Sequence, residues 1–166
     1  MRRGVRLAFD VGRARIGVAA CDEESILCTP VETLYRDKRG VGHLDDVNDL
    51  IDEYRPIEII VGLPKNMDGT EGMSARDART FARQVALRHR DIAVRLVDER
   101  LTTVSAHRAL HEAGRSMRSH RAVVDQVSAV LILELALEIE EKTGEPAGEQ
   151  VSRKGPDGGH IRGLQR

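Results

Sequence analysis

The stretch Val5 to Ala20, VRLAFDVGRARIGVAA, restricts this chain more than any other. Two brief, β-prone apolar runs, Val5–Phe9 and Ile16–Ala20, flank a turn segment that opens with Asp10 and carries Gly12. Short apolar runs bounded by turn residues predict the two strands of a hairpin. Asp10 stands where the first strand leaves the hydrophobic layer, and a carboxylate there is costly to bury without a partner. Gly12 permits a backbone path that a Cβ would resist and lets a ligand approach closely. Taken alone, a surface Asp capping a tight turn is the better reading of Asp10. Its meaning depends on the acids that follow.

Beyond the hairpin, Ile26–Val31 predicts a third strand, and apolar residues from Val41 to Tyr54 recur at helical spacing up to Pro56. Ile57–Val61 reads as a strand covered on both faces and runs into the turn-rich loop Gly62–Gly69. An amphipathic helix from about Gly72 to His89 and a strand over Ile92–Val97 follow, the strand ending in Asp98-Glu99-Arg100. Thr102 or Thr103 N-caps a helix through Ala113, and a last helix runs from about Ala122 to Glu141. Its segment Ala129–Leu133 is apolar nearly all round, which predicts deep packing. From Gly144 the chain turns polar and glycine-rich, the composition of a disordered tail. The expected organisation is one α/β domain over residues 1–143 and a disordered tail over 144–166, with no internal repeat. Hairpin-linked strands followed by strands alternating with helices predict a five-stranded mixed sheet flanked by helices on both faces.

Composition removes several function classes. No apolar run reaches membrane-spanning length and the first residues lack a signal-peptide h-region, so a cytoplasmic protein without a membrane partner is expected. Cys21 and Cys28 are too few for a disulfide scaffold and have no companions at zinc spacing. Aromatics are 2% of the chain, which argues against base stacking as the main mode of recognition. Net charge is −1, yet Arg100, Arg108, Arg115, Arg118 and Arg121 with His107, His111 and His120 form a local basic zone. Such a zone fits an anionic partner docking on one face, and equally a solvated helix surface. His107 and His111 have i, i+4 spacing but no matched third ligand, so the histidines read as surface or phosphate-contacting residues.

In a parallel sheet functional groups gather at the carboxyl ends of the strands, which here offer Asp10, Gly62-Leu63-Pro64 and Asp98-Glu99. Two ladder spacings make a gap of roughly 10 Å between the outer strands. A Glu bridges that gap better than an Asp, and Gly62 leaves the path open, which favours Glu99 over Asp98 as the inward group. Asp125 lies in the first turn of the last helix, where the dipole favours an anion. The sharper reading joins Asp10, Glu99 and Asp125 in one cluster. Like charges brought together need a cation, and hard oxygen ligands select Mg²⁺ or Mn²⁺, the ions of phosphodiester hydrolysis. By spacing alone the triple is weak, since 27 acidic residues offer many chance triples. Lys65, Asn66 and Asp68 read either as turn chemistry or as a substrate-contacting loop.

Four motifs carry a family resemblance. Phe9-Asp10-Val11-Gly12 with Arg15-Ile16-Gly17-Val18-Ala19, Val61-Gly62-Leu63-Pro64 with Asn66-Met67-Asp68-Gly69, Val97–Thr103, and Val124-Asp125 with Ser128-Ala129 occur in order. Together they resemble the YqgF-type (RuvX-like), Holliday-junction-resolvase-like family from Arg6 to Leu137. The resemblance implies a ribonuclease-H-like fold and a divalent-metal endonuclease. Family members are described as maturing the 5′ end of pre-16S rRNA, others as resolving four-way DNA junctions. It places the acidic set on Asp10, Glu99 and Asp125, as catalytic residues and ligands of Mg²⁺ or Mn²⁺. The basic residues Arg13, Arg15, Lys65, Asn66 with its amide, Arg100, Arg108, Arg115, Arg118 and Arg121 would position structured RNA or branched DNA. Two departures stand out. Arg13 and Ala14 replace a small hydroxyl and a lysine, and Ser128 stands where better-known resolvases carry a further acid. A junction-resolving member would be a homodimer matching its two-fold substrate. The competing reading is a protein that holds structured RNA, a ribosome or a transcription partner without cutting. An actin-like ATPase hairpin would need two such domains, and this chain has length for one.

Overall fold

The computed structural model describes residues 1–37, 42–101 and 118–154. In chain order the elements are β1 (Arg6–Val11), β2 (Arg15–Cys21), β3 (Cys28–Tyr35), α1 (Gly42–Tyr54), β4 (Glu58–Leu63), α2 (Met73–Arg88), β5 (Ala93–Asp98), a 3-10 turn (Glu99–Leu101), α3 (Arg118–Thr143) and β6 (Glu149–Gln150). They form one mixed sheet in the order β3-β2-β1-β4-β5-β6. β1, β4 and β5 run parallel to one another, and β2, β3 and β6 pair antiparallel to their neighbours. The expected mixed α/β sheet is present, with six strands rather than five.

Side-chain alternation sorts the sheet into two faces. Leu7, Phe9, Val11, Ile59, Val61, Leu63, Val94 and Leu96 pack with α1 and α2. Ala8, Ile60 and Val97 pack with Ala129, Ile132, Leu133 and Ala136 of α3. By the same alternation Arg6 and Asp10 share the face of Ala8, Glu58 and Gly62 that of Ile60, and Glu99 that of Val97. The small residues on the α3 face let that long helix lie close to the strands. Its burial supplies most of the drive for that layer, at ~25 cal/mol for each Å² of apolar surface covered.

The third strand and the tail differ from the pattern reading. The third strand opens at Cys28, not Ile26, because Asp22 Oδ1 accepts the amides of Ile26 (2.7 Å) and Leu27 (3.1 Å) and holds both in the turn. Ile26 is left 81% exposed. β3 then continues through Pro30, which an edge strand tolerates. The tail expected to be disordered from Gly144 is built into the fold as far as Lys154. Ala147 and Val151 are buried, β6 pairs with β5, and Arg153 donates to the carbonyls of Ala86 (2.7 Å), His89 (2.9 Å) and Ile92 (2.6 Å). Polar composition concealed two apolar anchors four residues apart. The expected helix from Thr102 or Thr103 to Ala113, and residues 155–166, lie outside the described residues.

Candidate active site

Asp10 is the fifth residue of β1, opposite Gly17 of β2 on one side. On the other side Phe9 lies beside Val61, which brings the next residue, Gly62, alongside Asp10. Glycines therefore flank Asp10 across the sheet on the α3 face. Each makes room for a different neighbour. A β-carbon on Gly17 would overlap the main-chain carbonyl of Asp125, so α3 lies directly on β2 there. A β-carbon on Gly62 would overlap Glu99 Oε1 and come within 2.6 Å of Ile132 Cδ1. Glu99, the first residue past β5, thus leans across the vacant side of β4 toward Asp10, and the two carboxyls hydrogen-bond.

The electrostatics follow from this crowding. Asp10 keeps part of its surface accessible, yet burial drives its pKa well above the ordinary carboxylate range, and the charge of Glu99 raises it further. The Glu99 hydrogen bond and the Asp125 charge add to the same direction. Glu99 is also raised, chiefly by burial. Both carboxyls are thus pushed in the direction that disfavours the charged form. Asp98, the alternative inward acid, has the opposite parity. It accepts the amide of Arg100 (2.9 Å) and pairs with its guanidinium (2.7 Å), which lowers its pKa.

Asp125 stands about two turns inside α3, since the helix opens at Arg118 rather than near Ala122. The helix dipole therefore explains less of its presence than the pattern suggested, because that effect fades beyond the first turn. Its Oδ2 instead accepts from Arg15 Nε at 2.8 Å. As placed, no three His, Cys, Asp or Glu side chains among the described residues form a group ready to hold a metal ion. Two carboxyls hydrogen-bond to each other and the third faces an arginine.

The model of the family described as "RuvX: Holliday junction resolvase" matches residues 4–139, most of the chain and all of the elements that build this edge. The chain belongs to the RuvX family. A Streptomyces coelicolor relative described as a candidate pre-16S rRNA nuclease is 48% identical over 151 residues, covering 91% of this chain and 90% of that one. A Cutibacterium acnes relative with the same description is 52% identical over 135 residues, covering 81% and 82%. Thermus thermophilus RuvC shares the fold, with a TM-score of 0.50 and 12% identity over 86% of this chain and 98% of its own.

On this RuvX-family frame the basic residues separate. Arg15 borders the acidic cluster through Asp125. Arg13 and Ala14 are exposed on the β1–β2 turn. Arg100 reaches back from the 3-10 turn to Asp98 and to the carbonyl of Met67 (3.3 Å). Asn66 is held by its own loop, its side chain donating to Thr70 Oγ1 (2.9 Å) and its amide to the Thr70 carbonyl (2.8 Å). Lys65 lies half-buried in the same loop. Arg108, Arg115, His107 and His111 lie outside the described residues, as do the side chains of Arg118, His120 and Arg121. Ser128 is buried on α3. The roles of two residues of this edge escaped the sequence reading. Gly17 was visible only as a glycine inside a β run, the mark of a close backbone approach. Arg36, which donates to the Gly12 carbonyl at 2.8 Å and pairs with Asp77, carried no signal.

Proposed function

We propose that this chain is an endonuclease that hydrolyses phosphodiester bonds in structured RNA and matures the 5′ end of pre-16S rRNA. The observation that carries the proposal is the Asp10–Glu99 pair. The groups that raise the Asp10 pKa besides burial are acids, Glu99 and Asp125. A fold keeps such repulsion where a cation is to be bound. The donor set is all hard oxygen, which suits Mg²⁺ or Mn²⁺. Asp10, Glu99 and Asp125 would hold that metal, which supplies an activated water and a counter-charge for the leaving oxygen. For this, Asp10 and Glu99 must both be ionised and Asp125 must turn from Arg15. Arg15, once released, would hold a backbone phosphate beside the reacting bond.

The test is cleavage of labelled pre-16S rRNA and of a synthetic four-way DNA junction, each with and without Mn²⁺. Wild type should cut the RNA only with metal, and Asp10→Asn should not cut it. Metal-dependent cutting by Asp10→Asn would falsify the proposal. The Arg15–Asp125 ion pair favours a second reading, a protein that holds RNA without cutting. Its signature is salt-sensitive binding that needs neither metal nor Asp10.

A further inference from the structure

Past the end of β5, Glu99 stands between two residues that are tied to each other. Asp98 Oδ1 accepts the amide of Arg100 at 2.9 Å, so the residues before and after Glu99 close a tight turn around it. The Arg100 guanidinium then folds back on the same carboxylate, with Nη2 2.7 Å from Oδ2 and Nε 3.1 Å from both oxygens. Its remaining nitrogen, Nη1, donates to the carbonyl of Met67 at 3.3 Å, in the loop that follows β4. Gly69 of that loop brings its backbone against the guanidinium, since a β-carbon there would stand 3.5 Å from Nη1. The loop keeps its own shape. Asn66 and Thr70 are joined through main chain (2.8 Å) and side chains (2.9 Å), and Asp68 Oδ1 accepts the Thr70 amide (2.9 Å) and hydroxyl (2.6 Å). One arginine therefore joins the strand end that carries Glu99 to the loop of the strand that Glu99 crosses.

Glu99 has a span to cover. β4 lies between β1 and β5, and the Glu99 carboxyl passes over Gly62 to meet Asp10. Reacting groups must be held within about 0.5 Å of the productive geometry, and a glutamate side chain is too flexible to hold itself there. As a source of stability the Arg100–Asp98 pair is slight, because its side chains are 31% and 22% exposed. As a joint between two loops it fixes where the Glu99 backbone starts. We infer that Arg100 is a positioning residue: with Asp98 it braces the β5 turn against the β4 loop and so aims the Glu99 carboxyl at Asp10. This brace rests on the nuclease reading above. It turns Arg100 from the RNA contact expected of it into the support of an acid.

The test compares Arg100→Ala, Arg100→Lys and Asp98→Asn in the full chain. Calorimetry reads Mn²⁺ affinity, a filter assay reads RNA affinity without metal, and NMR reads the Glu99 carboxyl carbon in the metal-free protein. Arg100→Ala should weaken Mn²⁺ binding about ten- to hundredfold, the usual cost of losing the support behind a metal ligand. Loss of a positive charge alone would strengthen Mn²⁺ binding, so the direction separates a brace from a charge. Arg100→Lys keeps the charge without the planar fork and should recover only part of the loss. Asp98→Asn should act in the same direction, and the double variant should be no worse than the more affected single, because both break one joint. RNA affinity and its salt slope should stay as in wild type. An RNA-contacting Arg100 would instead be released by Asp98→Asn to bind RNA more tightly, and Arg100→Ala would lower the salt slope by about one. The Glu99 resonance should move in Arg100→Ala as it does in Asp10→Asn. An unmoved resonance in Arg100→Ala overturns the brace, as does undiminished Mn²⁺ affinity where wild type binds the ion. Metal-dependent cutting by Asp10→Asn, with the Glu99 resonance still moved by Arg100→Ala, removes the nuclease reading and leaves the brace standing.

Discussion

β1 and α3 meet at both of their ends on the same face of the sheet, and the two meetings carry opposite electrostatics. At the start of β1, Arg6 is 1% exposed against Glu140 near the end of α3, their side chains 3.2 Å apart. Arg2 joins Glu140 (2.6 Å) to Glu58 (3.1 Å) at the start of β4. Two carboxylates and two guanidiniums are balanced there, and the Arg2 hydrogen bond draws the Glu140 pKa down to about 2. At the far end, Asp10 meets Glu99 and Asp125, and the Asp10 pKa goes up. A carboxyl group therefore shifts in opposite directions at the two ends. Partnering decides the direction, since both ends are buried. The balanced end ties the layers together, and the unbalanced end stores a demand for positive charge.

The largest expected effect comes from neutralising one acid at each end. Asp10→Asn should reduce RNA cleavage by about three orders of magnitude, ~4 kcal/mol of transition-state stabilisation. It should leave the chain as stable as wild type or more so, because a repulsion is removed. Glu140→Ala should do the reverse, destabilising by ~3–5 kcal/mol because Arg6 loses its buried partner. Urea unfolding of both variants measures the contrast, and a loss of stability in Asp10→Asn equal to that in Glu140→Ala would erase it.

Next in size are the two glycines. Gly17→Ala presses a β-carbon on a main-chain carbonyl of α3, which cannot step aside, and should destabilise by ~1–3 kcal/mol. Gly62→Ala presses on the side chains of Glu99 and Ile132, which can move. Its effect should fall on cleavage more than on stability, read by comparing the unfolding midpoint with the single-turnover rate.

The pH dependence of the two ends should also diverge. Glu140 has a folded pKa of about 2, below its ordinary 4.5. Its contribution is complete above the ordinary value and is lost as pH falls through the folded one. Asp10 and Glu99 are raised, so their protonated form is the stable one in the fold. Their contribution is present below the ordinary carboxylate range and is lost as pH rises through the folded values. Melting temperature followed from acid to neutral pH should show a loss on the alkaline side that Mg²⁺ offsets and Asp10→Asn lacks.

The smallest effect concerns the Arg15–Asp125 pair, which is partly exposed and so contributes ~0.5–1 kcal/mol at most. Arg15→Ala should strengthen Mn²⁺ binding a few-fold, by freeing Asp125, while weakening RNA binding. Calorimetric titration with Mn²⁺ reads the first of these, and unchanged metal affinity would mean that Arg15 does not compete for the carboxylate.

Much of this edge was legible beforehand for local reasons. Apolar runs with period two and period 3.6 gave the order of strands and helices, and the vacancy at Gly62 suggested where a Glu would cross. The third strand was misplaced because the Asp22 side chain, and not the apolar pair Ile26-Leu27, decides where that turn ends. The tail was misjudged because Ala147, Val151 and Arg153 acquire partners only after α2 and β5 are in place.

By itself the sequence determined the element types, the alternation along each strand and the acids at the strand ends, because these depend on neighbours within a few residues. Only the tertiary structure decided that Asp10, Gly62 and Glu99 share a face, that Asp125 is carried onto Gly17 by the close approach of α3, and that Asp98 faces away. Alternation fixes the side of each residue relative to its own strand. Which side of one strand continues which side of the next is settled when register and the packing of α3 are chosen together.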